Sequence, residues 1–141
     1  SAFVRCKNLE EVKIYHGVKE IGKGAFAETA IKDIVLPDSL MVAGDYIFSQ
    51  CKELVSATLS TGLTEIPDYM FYDCNKFSFV NIPQNVTVMG DFAFANTYFG
   101  YVDLADTNIL QIGKGTFAEC QELKTVILPD TLVKLDAGAF T

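Results

Sequence analysis

The chain has 141 residues, half of them apolar, and a formal net charge of −7 from 11 basic and 18 acidic side chains. The acidic excess excludes a nucleic-acid binder, which needs a concentrated basic footprint, and argues against docking on an anionic membrane. Its uninterrupted apolar runs are only a few residues long, so membrane insertion is excluded, while the length suffices for one sizeable core.

A phenylalanine recurs at Phe3, Phe26, Phe48, Phe71, Phe94, Phe117 and Phe140, at intervals of 23, 22, 23, 23, 23 and 23 residues. A fixed period of this size marks a solenoid whose coils must stack to bury a common core. Six residues after the phenylalanine comes Leu9, Leu54, Phe77 or Leu123; in two coils the apolar residue comes one position early, as Ile31 and Phe99. An alternating run follows: Val12-Lys13-Ile14, Ile34-Val35-Leu36, Ala57-Thr58-Leu59, Val80-Asn81-Ile82, Val102-Asp103-Leu104 and Val126-Ile127-Leu128. Apolar first and third positions predict a short strand with one face buried. Pro37, Pro83 and Pro129, which lack an N–H, end the run in alternate coils.

A second apolar pair closes each coil: Val18/Ile21, Leu40/Ala43, Leu63/Ile66, Val86/Met89, Ile109/Ile112 and Leu132/Leu135. Gly22, Gly44, Gly90 and Gly113 follow directly, and glycine's tolerance of left-handed or tight backbone predicts a corner there. The segment after each phenylalanine is too short for a stable helix. The predicted fold is therefore a mainly β, right-handed solenoid of about six 23-residue units, with short parallel strands, corners and few or no long helices. Strands ~4.8 Å apart would make a rod roughly 30 Å long, with the phenylalanines as one inward column. Residues 1–141 read as a single domain, its units starting near 2, 25, 47, 70, 93, 116 and 139. The chain begins and ends inside a unit and shows no signal peptide, so a fragment of a longer array is expected, with uncapped ends that invite end-to-end self-association.

Cys6, Cys51, Cys74 and Cys120 each lie three residues after the repeat phenylalanine, and Thr29 and Thr97 replace them in the two coils with the early apolar residue. Their spacing matches no zinc pattern. Cys51 and Cys74, in adjacent coils, would hold Cβ atoms ~4.8 Å apart, beyond the disulfide window of about 3.5–4.5 Å. Four free, buried thiols acting as small hydrophobes are predicted. The lone histidine, His16, sits in a loop without a nucleophile partner. Gly22-Lys23-Gly24 and Gly113-Lys114-Gly115 lack the full phosphate-loop pattern and read as corners. Acidic pairs such as Glu10-Glu11 alternate with lysines and read as a solvated face, and Asn85-Val86-Thr87 is a sequon whose Val86 belongs to the core. No catalytic residue, metal or cofactor is expected.

The outward face of the strand ladder is the candidate binding surface. Its first column reads Glu11, Asp33, Ser56, Phe79, Tyr101, Thr125 and its second Lys13, Val35, Thr58, Asn81, Asp103, Ile127. Phe79 and Tyr101 are expected side by side in coils four and five, with Val35 and Ile127 extending the apolar part. Exposed aromatics are enriched in binding hot spots, although such a pair also stabilises a sheet simply by stacking.

The pattern A-F-x-x-C-x-x-L-x-x-V-x-I-P-x-x-V-x-x-I-G resembles the BspA-like, treponemal-type leucine-rich repeats. It is carried by Ala25-Phe26, by Cys6, Leu9, Val12 and Ile14, and by Cys120, Leu123, Val126, Leu128 and Pro129. It departs from the commoner leucine-rich repeat and has no asparagine ladder, so long convex helices are not expected. The resemblance implies an extracellular or cell-surface protein used for adhesion or host-protein binding. The combined reading is a non-catalytic repeat scaffold with a protein ligand; the alternative is a structural spacer within a larger surface protein.

Overall fold

The computed structural model describes residues 2–141. Coils are numbered from the repeat phenylalanines, coil one opening at Phe3 and coil six at Phe117. No helix occurs among the described residues, and every strand pairing is parallel. The alternating runs form β2 (Asp33–Val35), β4 (Ser56–Thr58), β6 (Phe79–Val80), β8 (Tyr101–Asp103) and β10 (Thr125–Ile127). Between them lie β1 (Glu20–Ile21), β3 (Val42–Ala43), β5 (Glu65–Ile66), β7 (Val88–Met89), β9 (Gln111–Ile112) and β11 (Lys134–Leu135). Each of these shorter strands ends on the later residue of the second apolar pair, which periodicity alone did not identify as strand.

Register follows the repeat. Asp33 pairs with Ser56, Ser56 with Phe79 and Tyr101 with Thr125, each one lap apart. The shorter strands stack as Glu65, Val88, Gln111 and Lys134. The phenylalanine corners form a third hydrogen-bonded edge: the N–H of Phe48 donates to Met70 O at 3.0 Å and that of Phe71 to Ala93 O at 2.8 Å. Intervening amides turn back within the coil, as Ala27 N–H does to Gly24 O at 3.2 Å. The alternation requires left-handed backbone two residues before and two after Phe26, Phe48, Phe71, Phe94 and Phe117, as at Gly24 and Glu28 or Tyr69 and Asp73.

The seven phenylalanines form one column. Successive ring centroids lie 5.4, 5.7, 5.6, 5.5, 5.3 and 5.4 Å apart, all stacked. Phe48, Phe71 and Phe94 are fully buried, whereas Phe3, with a ring on one side only, is 44% exposed. A fully buried phenylalanine contributes roughly 1.5–3 kcal/mol by transfer from water, so the column supplies much of the core.

Several expectations need correction. Of the two readings of the glycines after the second apolar pair, left-handed or tight, the left-handed one fails; positive φ occurs instead at Gly17, Gly24, Gly115 and Gly138. At Gly44, Gly90 and Gly113 the constraint is close approach, since a Cβ at Gly90 would stand 2.7 Å from both Ile66 O and Asp68 N. The cysteines are all free, but only Cys51 and Cys74 are buried; Cys120 is half-buried and Cys6, in the first coil, is exposed. They are also more than small hydrophobes. Cys51, Cys74 and Cys120 Sγ donate to the carbonyls of Phe26, Phe48 and Phe94 at 3.2, 3.1 and 3.2 Å. The hydroxyls of Thr29 and Thr97 donate to the same Phe26 and Phe94 carbonyls from within their own coils and lie 3.4 and 3.3 Å from the Sγ of Cys51 and Cys120 in the next coil. Finally, Val12-Lys13-Ile14 forms no strand, and the long-strand ladder is broken between coils four and five.

Candidate functional site

The break defines the site. β2, β4 and β6 form one sheet and β8 and β10 another, so β6 and β8 are both edge strands that face each other unpaired. Between them opens a cleft of about 540 Å³. One wall is Ser78, Phe79, Val80 and Ile82, the other is residues 98–104, and Met89, Phe94 and Phe117 form the floor. The cleft thus reaches from the outward face to the phenylalanine column.

Its local cause lies in the corner of coil five. Between the repeat phenylalanine and the next buried apolar residue, Phe94 to Phe99 is one residue shorter than Phe71 to Phe77. Tyr98 N–H is held by Phe77 O at 2.9 Å, and β8 then begins out of step with β6. On the coil-four side, Leu59 N–H donates to Asn81 Oδ1 at 2.8 Å, where Leu36 N–H in the regular coil bonds a main-chain carbonyl, Thr58 O. β6 therefore stops at Val80. The coils rejoin below the cleft, where Gln84 Nε2 donates to Asp106 O at 2.7 Å and Asn108 Nδ2 to Gln84 O at 3.0 Å. The opening is a slot pinned at both ends.

Phe79 is 67% exposed and Tyr101 56%, so both occupy the outward column as expected. They do not stand on neighbouring paired strands; they form opposite lips of the slot. Val35, 63% exposed, and Ile127, 39% exposed, share the outward face but lie in coils two and six, away from the slot. Phe79 also borders a shallower depression on its other side, against Ser56 and Thr58. The expectation missed Tyr98, an exposed aromatic on the coil-five wall, and Gly100 beside it. The early Phe99 was the available signal.

The polar groups of the lips are few. Tyr101 hydroxyl donates to Asp103 Oδ2 at 3.2 Å, while Asp103 Oδ1 accepts from Ala105 N–H at 2.9 Å. Desolvation, then the Asp103 carboxylate, raises the Tyr101 phenol above its usual range. No lysine or arginine lines the slot. His16, exposed in its loop, lies in coil one, and the buried Cys51 and Cys74 thiols bond to main-chain carbonyls, not to a histidine or a cleft. The arrangement can hold an apolar group beside unpaired backbone, with one carboxylate at the rim.

The family profile described as "BspA type Leucine rich repeat region" matches six copies in this chain, over residues 1–99 and 90–141. Among solved structures, a leucine rich cell surface protein from Faecalibacterium prausnitzii A2-165 is similar at 25% identity and a TM-score of 0.74, over 86% of this chain and 33% of that one. The T. pallidum leucine-rich repeat protein is similar at 27% identity and a TM-score of 0.72, over 86% of this chain and 64% of that one. A leucine-rich repeat protein from Bacteroides ovatus ATCC 8483, at 21% identity and a TM-score of 0.52, covers 96% of this chain and 56% of that one and shares the fold. The chain thus spans from a third to under two thirds of these proteins' lengths. No protein with a curated description matches it.

Proposed function

The chain belongs to the BspA-type leucine-rich repeat family, a family of repeat scaffolds for protein interaction that is typically non-catalytic, and from this we propose that it binds a protein ligand at a cell surface, in adhesion or host-protein recognition. The carrying observation is the pair of exposed aromatics, Phe79 and Tyr101, on either side of an apolar slot in the strand face. Exposed aromatic rings beside a pocket can bury large area at small entropic cost on binding. Val35 and Ile127 extend the same face to coils two and six. The description of the Faecalibacterium protein as a cell surface protein supports the location.

The test is binding of the purified chain to an array of folded extracellular proteins. Wild type is compared with the Phe79→Ala/Tyr101→Ala double variant and with Val133→Ala, which removes an exposed side chain outside the long-strand ladder. Specific binding, weakened about tenfold or more by the double change and kept by Val133→Ala, is expected. Equal binding by all three would shift the surface elsewhere. No binding by wild type would favour the spacer reading.

A further inference from the structure

We propose that the slot between β6 and β8 captures an extended peptide segment of the partner, with one large apolar side chain in the cleft, its backbone paired to a strand edge and basic residues on either side. This rests on the protein-binding reading above and narrows it to one kind of segment. Two edge strands face the same opening, and each presents backbone N–H and C=O groups with no strand partner on that side. An added strand satisfies such groups, which is the physics of β-augmentation. The cleft descends to Phe94 and Phe117, so a side chain alternating inward from that strand meets an apolar floor.

The pins set the length. With the coils joined at Tyr98–Phe77 above and at Gln84–Asp106 below, the free edge runs from Ser78 to Ile82, about five residues or roughly 17 Å of extended chain. The occupant must enter from the outward face. Charge selects its flanks: Asp103 stands at the rim, no basic residue lines the slot and the chain carries −7 overall. That potential attracts a cationic segment and opposes a second copy of this acidic chain. A small apolar molecule would fill the floor yet leave both strand edges unpaired.

The experiment titrates the full 15N-labelled chain with three capped heptapeptides: KTVFVTK, ETVFVTE, and KTVFVTK N-methylated on alternate backbone nitrogens. Saturable amide shifts from KTVFVTK confined to residues 78–82 and 98–104 are expected. N-methylation should weaken binding about tenfold or more, and ETVFVTE should bind several-fold more weakly at low salt. Undiminished binding of the N-methylated peptide would overturn strand pairing and leave a side-chain pocket. Shifts centred on Asp33–Val35 or Thr125–Ile127, or no saturable shift with any peptide, would also overturn the proposal. In those cases the array result for Phe79→Ala/Tyr101→Ala separates the two readings: a positive result spares protein binding, and a negative one removes both.

Discussion

Phe71 and Phe94 are the pair in the aromatic column whose planes diverge most, 20°, against 2–11° for the other five pairs. They belong to the two coils that flank the slot. Here the column also widens. Phe77 stacks 4.2 Å from Phe71, and Phe99 meets Phe77, Phe94 and Phe117 edge-on at 5.5, 5.8 and 6.4 Å. The one-residue-shorter corner turns Phe99 edge-on and sets β8 out of step with β6. Coil two repeats the behaviour. Its early Ile31 follows Ala30, whose N–H is held by Leu9 O at 3.0 Å, and β2 pairs onward to β4 but not back to coil one. There Lys32 reaches Glu10 at 3.3 Å across the join, whereas the join between coils four and five is lipped by exposed aromatics.

Truncating the column should cost most where rings lie on both sides. Phe94→Ala removes a fully buried ring with four ring neighbours, and a loss of about 3–5 kcal/mol is expected. Phe3→Ala removes a ring that is 44% exposed and stacked on Phe26 alone, so a much smaller loss is expected. Urea unfolding followed by far-ultraviolet circular dichroism makes the comparison; equal midpoints for the two variants would refute the column as the source of stability.

The column, the coil count and the outward faces were legible because each residue's environment repeats with the lap. Phe48 meets Phe71 for the same reason that Phe26 meets Phe48, so spacing alone predicted the contact. What one coil does differently was harder to read. Phe99 and Thr97 were visible as irregularities, but their effect depends on where Tyr98 N–H finds an acceptor, which periodicity does not encode. The same limit hid the surface stack of Tyr46, Tyr69 and Phe92, with centroids 4.5 and 5.2 Å apart. All three are left-handed, at a position where Gly24, Gly115 and Gly138 serve in other coils. A bulky residue at positive φ contradicts local preference, and only neighbouring coils with rings at the same place compensate.

The corner glycines should divide by what surrounds them. At Gly90 a Cβ would meet Ile66 O and Asp68 N at 2.7 Å, both backbone atoms that cannot swing away. Gly90→Ala should therefore destabilise by about 1–3 kcal/mol, as overpacking does. Gly22 has nothing within 4 Å of the added atom and no positive φ, so Gly22→Ala should fall within about 0.5 kcal/mol of wild type. Thermal unfolding of both variants checks this, and a neutral Gly90→Ala would mean that the coils can spread without penalty.

Thiol behaviour should follow depth. Burial, the leading cause in both, raises the Cys51 thiol above its ordinary value of 9.0 and the Cys74 thiol well above it. The folded chain then holds protons that the unfolded chain releases. This contribution is complete below about 9.0 and is lost as pH climbs through the raised folded values. Cys51→Ala/Cys74→Ala should therefore show a shallower fall in urea midpoint between neutral and strongly alkaline pH than wild type. In native protein at mildly alkaline pH, Cys6 should react first with a thiol reagent, then Cys120, with Cys51 and Cys74 reacting only on unfolding. Equal labelling of all four, or identical pH slopes, would contradict the placement of these thiols.

If the short corner opens the slot, lengthening it should close the sheet. The coil-four corner Cys74–Phe77 can be grafted in place of Thr97–Phe99, which adds one residue, while removing Ala105 restores the lap length. The incoming phenylalanine then stands six residues after Phe94, as Phe77 does after Phe71, and β8 falls into step with β6. A continuous ladder from β2 to β10 is expected, and the amides of Val80 and Tyr101 should gain hydrogen-exchange protection as their strands pair. Peptide capture should fall at least tenfold, because the edges would bond each other. A parallel change in coil two, with one residue inserted between Thr29 and Ile31, should pair coil one with β2 and leave peptide capture untouched. Should the coil-five graft fold with unchanged exchange at Val80 and Tyr101, the corner length would not be what separates these strands, and the tilt between Phe71 and Phe94 would become the cause to pursue.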